Sequence, residues 1–375
     1  MPVKASVIQE PGRITIEEFP LPEIDEHSLL VRVDEVGVCG SDRHMYLGHS
    51  NLKWPVLPGH EIAGTIVEQG DAVDERMKII GGPIQVGDRI TVVPSSQQCG
   101  KCWYCIHVPH MTALCSNRTV YGFRTCAEAP HLWGGYSDLM FVHSHSWVFK
   151  LPDDLDPLRA PLIEPVAVAT RAVDRALEMS IPHIGEGFGV GKRVAVVGAG
   201  PIGVLVVAVL RTLGAGLIIV TDAMESRLEM ARQMGADVTI NIGERDRQER
   251  LQHILEMTDQ IGVDIAIECA GVPDAFSECI DVTRRGGRVI EVGHYTDPGE
   301  TSLRPHQVCN KELNVLGCWA YPPMQFKTAI DFLRRTPVAV EEIITHRMSI
   351  TELERAIEMM AEPDVMKVVL GADPQ

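Results

Sequence analysis

The chain lacks an excess of positive charge. Its 34 lysine and arginine residues are outnumbered by 51 aspartate and glutamate residues, giving a formal net charge of -17. Nucleic acids and anionic membranes attract proteins through basic surfaces, and a bulk charge of this sign is repelled by both. The sequence therefore predicts neither a nucleic-acid partner nor a membrane partner.

Long hydrophobic runs are also scarce. The longest, residues 194–210, is interrupted by three glycines and a proline and is shorter than the roughly 20 apolar residues that span a bilayer. Residues 1–19 contain one lysine and no apolar core of the secretory type. These absences predict a cytoplasmic protein, in a compartment where thiols stay reduced.

Cysteine, by contrast, is concentrated in one short stretch. Four of the ten cysteines lie within seventeen residues, at Cys99, Cys102, Cys105 and Cys115. Disulfides, redox motifs and metal sites all use such clusters, and a reducing compartment favours a metal. Four sulfurs fill a tetrahedral shell and leave no position for a substrate, so the pattern predicts a structural zinc site. The alternative is a set of reduced loop cysteines without a metal.

Two patterns divide the chain. Residues 1–150 alternate in short apolar runs separated by glycine and proline, which is typical of a β-rich domain, and residues 158–180 have helical periodicity. From about residue 191, continuous apolar strands alternate with helices, as in a doubly wound parallel sheet.

In the C-terminal segment, Thr351 and Glu354 predict a capping box, and residues 367–370 predict a strand that returns to the first domain. The five cysteines outside the two candidate metal sites are expected to be core thiols: Cys126, Cys269, Cys279, Cys309 and Cys318.

A glycine motif opens the second pattern. It follows a buried strand, starts a helix, and reads Gly198, Ala199, Gly200, Pro201, Ile202, Gly203. The glycines permit a tight turn, close approach of a pyrophosphate and close helix packing, and the helix N-terminus donates to the phosphates. Asp222 ends the next strand and favours NAD over NADP because it repels a 2′-phosphate, whereas Arg227 tempers that preference.

The remaining candidates are weak by spacing alone. Cys39, His60 and Glu61 are scattered polar residues until the surrounding segments are considered: "GVCGSDRH", "PVLPGHE", "VGDRI" and "LIEPVAV". With the cysteine cluster and the glycine motif, these segments resemble the zinc-containing medium-chain alcohol dehydrogenases, in the branch of polyol, threonine and butanediol dehydrogenases. The resemblance covers roughly residues 3–370.

The resemblance implies an α/β fold of two domains. A GroES-like β-rich catalytic domain would occupy residues 1–165, with the structural-zinc lobe at about 95–117. A Rossmann NAD-binding domain would occupy residues 166–316, and residues 317–375 would return to the catalytic domain. It also implies a homo-oligomer, either a dimer or a tetramer.

The resemblance assigns roles to single residues. Cys39 and His60 would bind a catalytic zinc, so that each chain carries two zinc ions. Glu61 and Glu164 are each either a ligand or a neighbour of that ion. Ser41 would receive the substrate proton, and His44 would be the outer base of the relay. By family position Tyr46, Trp54 and Trp319 reach the zinc cleft, and Tyr321 matches a tyrosine of the polyol enzymes.

The implied reaction is oxidation of a secondary alcohol to a ketone with NAD. Polyol enzymes typically carry an arginine where this chain has Ala320, and aromatic walls favour apolar surface. We therefore expect a small vicinal diol or a compact apolar alcohol as substrate. The alternatives are a polyol, sugar or threonine dehydrogenase, an aldehyde- or formaldehyde-oxidising relative, and, in a different class, a non-catalytic zinc-ribbon protein that binds nucleic acid.

One departure from the family concerns the lobe. The loop between Cys105 and Cys115 has nine residues where the family usually has seven. It contains His107 and His110, which leaves open a rearranged lobe in which a histidine replaces a cysteine.

Overall fold

The computed structural model describes residues 2–95, 97–177 and 191–371. The chain divides into two compact units. The first contains the described residues of Met1–Glu164, Tyr321–Arg334 and Ile344–Gln375, and the second those of Pro165–Ala320 and Arg335–Ile343. The chain thus returns to the first unit after Ala320, leaves it once more, and ends in it. The segment predicted to be helical over residues 158–180 forms a 3-10 turn at Pro157–Leu162 and a helix at Ile163–Leu177, and its predicted end lies outside the described residues.

The first unit is built on a mixed eight-stranded sheet. Its strand order is β15-β16-β3-β4-β6-β8-β5, with β7 paired to β3, and β1 and β2 form a separate antiparallel pair. Its elements are β1 (Val3–Glu10), β2 (Arg13–Phe19), β3 (Leu29–Gly37), α1 (Gly40–Tyr46), β4 (Glu61–Gln69), β5 (Lys78–Ile80), β6 (Arg89–Val92), α2 (Trp103–His107), β7 (Leu139–Val142), β8 (Trp147–Lys150), α9 (Gln325–Arg335), β15 (Ile344–Ser349), α10 (Leu353–Met359) and β16 (Lys367–Gly371). The expected return strand is β16, which pairs antiparallel with β3.

The second unit contains a six-stranded parallel sheet. Its order is β11-β10-β9-β12-β13-β14, so the direction of winding reverses between β9 and β12. Its strands and helices are α3 (Ile163–Leu177, from residue 165), β9 (Arg193–Val197), α4 (Pro201–Thr212), β10 (Leu217–Asp222), α5 (Glu225–Gln233), β11 (Val238–Asn241), α6 (Arg247–Met257), β12 (Val263–Glu268), α7 (Pro273–Val282), β13 (Thr283–Glu291), α8 (Pro305–Asn310) and β14 (Asn314–Gly317). The central strands are buried along nearly their whole length, as continuous apolar strands of a parallel sheet should be. This confirms the predicted α/β class.

Two local predictions were wrong. The capping box lies two residues earlier than expected, with the Ser349 side chain and Glu352 closing a short 3-10 turn that precedes α10. Thr351 instead donates its backbone N–H to the Ser349 hydroxyl. Cys309 is exposed near the end of α8 and is not a core thiol, whereas Cys126, Cys279 and Cys318 are buried and Cys269 is partly buried.

Within the described residues, no helix combines the length and the apolar character that a bilayer crossing requires.

Candidate active site and metal centres

The four clustered cysteines converge in the structure. Sulfur–sulfur distances are 3.5 Å for Cys102 to Cys105, 3.9 Å for Cys99 to Cys105 and 3.9 Å for Cys102 to Cys115. Four sulfurs bound to one zinc ion at about 2.3 Å lie about 3.8 Å apart, so the cluster fits a tetrahedral ion. All ten cysteines, each within the described residues, are free of disulfides.

Local structure explains how the lobe reaches this arrangement. Helix α2 starts directly after Cys102, which places Cys105 one turn on, and a 3-10 turn at Thr112–Leu114 brings in Cys115. Backbone N–H groups lower the pKa of Cys99 to about 6, while burial raises that of Cys105 to about 12. Thiols that share one site lose their protons in succession, and a metal ion favours the fully ionised set.

The lobe histidines lie outside this group. His107 points its Nδ1 at the carbonyl oxygen of Trp103, 2.9 Å away, and its ring stacks on the Trp103 ring. His110 is exposed. The donor group consists of the four cysteines alone, so the longer loop accommodates the four-sulfur arrangement that the sequence predicted.

A second donor group lies where β3 leads into α1 and β4 begins. Cys39, His60 and Glu61 each offer one donor atom, and the three atoms lie within 4.8 Å of one another. His60 and Glu61 are 6% and 1% exposed. A set of one sulfur, one nitrogen and one oxygen suits zinc and leaves a fourth position open, which is the arrangement of catalytic zinc sites.

Asp42 orients the His60 ring. Its carboxylate is fully buried and accepts from the Tyr136 hydroxyl at 2.6 Å and from the Cys39 backbone N–H at 2.9 Å. Its other oxygen lies 3.6 Å from His60 Nδ1, slightly beyond hydrogen-bond distance, and neither atom has a hydrogen-bond partner in the described part of the chain. A carboxylate on one ring nitrogen leaves the other nitrogen for a metal, as in carboxylate–histidine–zinc sites.

The electrostatics of His60 agree with this pairing. Burial works against a charged ring, but the Asp42 carboxylate and the Cys39 sulfur outweigh it and raise the pKa of His60 to about 10. Burial raises the pKa of Asp42. His60 Nε2 lies 3.4 Å from the Ser41 hydroxyl, and the Phe123 ring packs 5.2 Å from the imidazole ring.

Lys367 binds the Glu61 carboxylate from strand β16. Its Nζ lies 2.6 Å and 2.5 Å from the two carboxylate oxygens and 2.9 Å from the Val38 carbonyl oxygen. Burial opposes the lysine charge, but Glu61 and then Cys39 raise the pKa of Lys367. The sheet register places Gly37 opposite Glu61, and a Cβ at residue 37 would lie 2.0 Å from the carboxylate. Glycine at this position therefore makes room for the ion pair.

Glu164, at the start of α3, lies close by but outside the compact donor group. The Tyr321 hydroxyl donates to its Oε1 at 2.6 Å. Burial, followed by the charge of Glu61, raises the pKa of Glu164 to about 7. Of the two candidate glutamates, Glu61 is the one that the structure groups with Cys39 and His60.

The residues predicted for the proton relay and for substrate contact differ in their burial and hydrogen-bond partners. His44 Nδ1 lies 3.0 Å from His49 Nδ1, and burial, then the neighbouring His49 and Arg43, lower the pKa of His44. The Tyr46 hydroxyl donates to Glu354 on α10 at 3.0 Å. Trp54 is partly buried. In the second unit Trp319 is 47% exposed and stacks on Tyr295.

The glycine motif adopts the geometry of a dinucleotide-binding turn. Gly198 has φ +98°, and a Cβ there would lie 2.5 Å from the Ala270 nitrogen. A Cβ at Gly203 would lie 1.9 Å from the Gly198 carbonyl oxygen, whereas one at Gly200 would meet nothing within 4 Å. The open space at Gly200, just before α4 begins at Pro201, would allow a pyrophosphate to approach the backbone.

Asp222, at the end of β10, binds the backbone of the glycine turn. Its carboxylate accepts from the Ala199 N–H at 2.8 Å and from the Met224 N–H at 2.9 Å. Arg227 lies near the start of α5, and its buried Nε has no hydrogen-bond partner in the ranges that the structure covers. Both residues lie where the sequence predicted them, at the carboxyl end of the second strand and just beyond it.

Comparisons with known proteins agree with this geometry. A family model described as the alcohol dehydrogenase GroES-like domain matches residues 25–153, and one described as zinc-binding dehydrogenase matches residues 201–335. The sorbitol dehydrogenase of Bacillus subtilis is 32% identical over 364 residues, covering 95% of this chain and 93% of that protein. The chain belongs to the zinc-containing medium-chain alcohol dehydrogenase family.

Solved structures of this dehydrogenase family have the same fold. An alcohol dehydrogenase from Thermotoga maritima superimposes with a TM-score of 0.89 at 30% identity, covering 100% of both chains. The 2R,3R-butanediol dehydrogenase of Bacillus subtilis gives 0.82 at 26% identity, covering 99% of this chain and 100% of that one. The family's members include one structure bound to NADP and one complexed with NADH. The predicted family and the GroES-like plus Rossmann fold are therefore confirmed, and with them a zinc-type dehydrogenase acting with a nicotinamide cofactor on a small molecule.

The structure also shows site residues that the sequence reasoning missed. Asp42, Phe123 and Tyr136 surround His60, and Lys367 pairs with Glu61. Asp42 lies within "GVCGSDRH", one of the segments that carry the family resemblance, so its position there is a usable signal. Lys367 and Tyr136 are distant in sequence, and only the sheet pairing brings them to the site.

Proposed function

We propose that this dehydrogenase oxidises a secondary alcohol to a ketone with NAD, using a zinc ion held by Cys39, His60 and Glu61. The observation that supports this most strongly is the convergence of those three donors beside the Ser41 hydroxyl. The four-cysteine lobe would hold a second, structural zinc ion. The acidic surface and the dehydrogenase family leave no support for the alternative of a zinc-ribbon protein that binds nucleic acid.

The reaction removes one hydride and one proton from the alcohol. Zinc, when bound, supplies a Lewis acid that lowers the pKa of the alcohol hydroxyl, and the nicotinamide supplies the hydride acceptor. Ser41 takes the hydroxyl proton and passes it on, because a serine is too weakly basic to keep it. His44 is the base that receives the proton, and its lowered pKa keeps it neutral at physiological pH. Asp42 holds the His60 ring in one orientation.

NAD is the proposed cofactor because of Asp222. A carboxylate at the end of β10 accepts hydrogen bonds from ribose hydroxyls and repels a 2′-phosphate. The family includes NADP-bound and NADH-bound members, so the choice depends on this chain's own residues. Arg227 provides a nearby cation that could accept a 2′-phosphate, so we expect the preference for NAD over NADP to be reduced but not reversed.

The proposed substrate is a small vicinal diol or a compact apolar alcohol. Ala320 offers no side-chain donor to a row of hydroxyls, and a sugar alcohol would lose hydration that the protein does not replace. The structural similarity to a butanediol dehydrogenase supports the smaller diol. Sorbitol is the second candidate, because sorbitol dehydrogenases are among the most similar sequences. A cytoplasmic homo-oligomer, dimer or tetramer, stays a prediction.

Steady-state kinetics test this proposal. Butane-2,3-diol, cyclohexanol, sorbitol and threonine would each be supplied with NAD or NADP, and NADH or NADPH formation followed by absorbance. We expect the highest kcat/KM with butane-2,3-diol or cyclohexanol and NAD, and loss of activity in Cys39→Ser. Cys309→Ser is the matched control, since this exposed cysteine lies outside both donor groups. A higher kcat/KM with sorbitol would refute the substrate, and a preference for NADP would refute the role of Asp222.

A further inference from the structure

Two loops in the second unit meet at the carboxyl end of its sheet. One follows β12 and contains Cys269, Ala270 and Gly271, and the other follows β13 from Val292 to Tyr295. A Cβ at Gly271 would lie 2.6 Å from the Gly293 carbonyl oxygen, so the two backbones are in direct contact. The first loop also touches the dinucleotide turn, because Gly198 packs against the Ala270 nitrogen.

The Glu268 carboxylate joins the two loops. Its Oε1 accepts from the Ala270 and Gly271 N–H groups, both at 2.8 Å, and its Oε2 accepts from the Gly293 N–H at 3.1 Å. The residue is 0% exposed. A Cβ on Gly293 would lie 2.4 Å from Oε2, so this glycine is needed for the carboxylate to reach the second loop. One buried side chain thus organises both loops.

A second carboxylate and an imidazole complete a cluster around Glu268. Glu291 lies opposite Glu268 in the register of the parallel strands, and His294 Nδ1 lies 2.7 Å from Glu291 Oε1 and 3.5 Å from Glu268 Oε2. The other Glu291 oxygen is buried and lacks a hydrogen-bond partner among the described residues. A proton shared between the two carboxyl groups would give that oxygen a partner.

We infer that Glu268, Glu291 and His294 are positioning residues for the nicotinamide cofactor, and that a proton held by the carboxyl pair is required for the two loops to keep their binding conformation. This inference rests on the proposed use of a nicotinamide cofactor. In a doubly wound sheet, ligands bind at the carboxyl ends of the strands next to the point where winding reverses. That point lies between β9 and β12, beside the loop that Glu268 holds.

Several groups surround the pair and set its charge. Burial, then the charge of Glu291, raises the pKa of Glu268 to about 7, and His294 partly offsets this. The neighbouring thiols are Cys269 from the same loop and Cys279 from α7, and burial raises the pKa of both well above the ordinary value. These thiols stay neutral, so Glu268 is the group of this cluster that changes charge. Above the transition two adjacent buried carboxylates repel each other and separate the loops.

Binding of NADH to the full-length protein, followed by fluorescence between about pH 6 and pH 9, tests the inference. The wild type is expected to bind more weakly as the pH rises through about 7, by up to about tenfold per pH unit beyond the transition. Glu291→Gln removes one carboxylate and supplies an amide donor to Glu268, so its dissociation constant should vary little over this range. Glu300→Gln, an exposed carboxylate further along the same connection, is the matched control and should follow the wild type.

Thermal unfolding without cofactor verifies that each variant is folded. Glu268→Gln serves as a second variant, and it should also lose the pH dependence while binding NADH more weakly at low pH. Parallel pH curves for wild type and Glu291→Gln, or for wild type and Glu268→Gln, would overturn the inference alone. Failure of the wild type to bind NADH at every pH would overturn the proposed function as well.

Discussion

Lys367 and Glu61 form an ion pair that is almost completely removed from water. They are 3% and 1% exposed, and Lys367 also donates to the Val38 carbonyl. Two buried charges stabilise each other only while both are present, because an unpaired charge in the interior keeps its full desolvation penalty. The pair also fixes the direction of the Glu61 carboxylate beside the other two metal donors.

Removing the lysine should therefore be costly. We expect Lys367→Met to lower the free energy of unfolding by about 3–5 kcal/mol, measured by urea denaturation. Lys53→Met is the matched control, since Lys53 pairs with Glu128 at the surface and its loss should cost less than about 1 kcal/mol. The double variant Lys367→Met with Glu61→Gln should regain stability. Equal losses for Lys367→Met and Lys53→Met would disprove the buried-pair account.

The sequence predicted the metal-donor residues better than it predicted the residues that orient them. The spacing of the four lobe cysteines predicts a metal site, whereas Cys39 and His60 are identified only by the resemblance of the segments around them. The structure places all six in donor groups. The partners that orient the donors come from elsewhere in the chain. Tyr136 follows Asp42 by 94 residues and Lys367 follows Glu61 by 306. Lys367 reaches Glu61 only because β16 pairs with β3. No local sequence pattern predicts this contact.

At the scale of elements, the turn between β9 and α4 contains glycines with two different functions. One allows close packing, and the other leaves space for a ligand. Gly203 is required for packing, because its Cβ would lie 1.9 Å from the Gly198 carbonyl oxygen. Gly200 has open space and an ordinary extended backbone with φ -68°. Alanine at residue 200 is therefore compatible with the fold, but its methyl group would occupy the space that the pyrophosphate needs.

The two glycines should consequently respond differently to the same change. Gly203→Ala is expected to lower the free energy of unfolding by about 1–3 kcal/mol through overpacking. Gly200→Ala should change it by less than about 1 kcal/mol and raise the NADH dissociation constant by about tenfold, or about 1.4 kcal/mol. Denaturation and NADH fluorescence titration measure the two effects. Unchanged NADH affinity in Gly200→Ala would rule out pyrophosphate binding at this turn.

Strands and helices with a strong apolar periodicity were predictable from the sequence. The position of a short turn was not, because it depends on the element that follows it. The alternation of buried strands and helices in residues 191–317 follows directly from the apolar pattern. The capping prediction failed because both Ser349 and Thr351 precede an acidic residue by three positions, and local sequence does not choose between them. The structure uses Ser349, since the turn at Ile350–Glu352 comes before α10.

In the molecule as a whole, the two units carry different candidate sites. The first unit carries both candidate zinc sites, and the second carries the dinucleotide turn and the Glu268 cluster. Composition indicated only a globular protein with a formal net charge of -17. The family followed from a few short motifs, whereas the substrate depends on side chains whose arrangement those motifs do not determine.

Zinc content measured with activity tests the central claim most directly. Wild-type protein should contain two zinc ions per chain. Cys39→Ser should contain one, with normal thermal stability and no dehydrogenase activity, because the remaining ion lies in the cysteine lobe. Cys102→Ser should also contain one and lose stability first, since a structural zinc site contributes directly to folding. A wild-type chain with a single zinc ion that persists in Cys102→Ser, or full activity in zinc-depleted Cys39→Ser, would contradict the account.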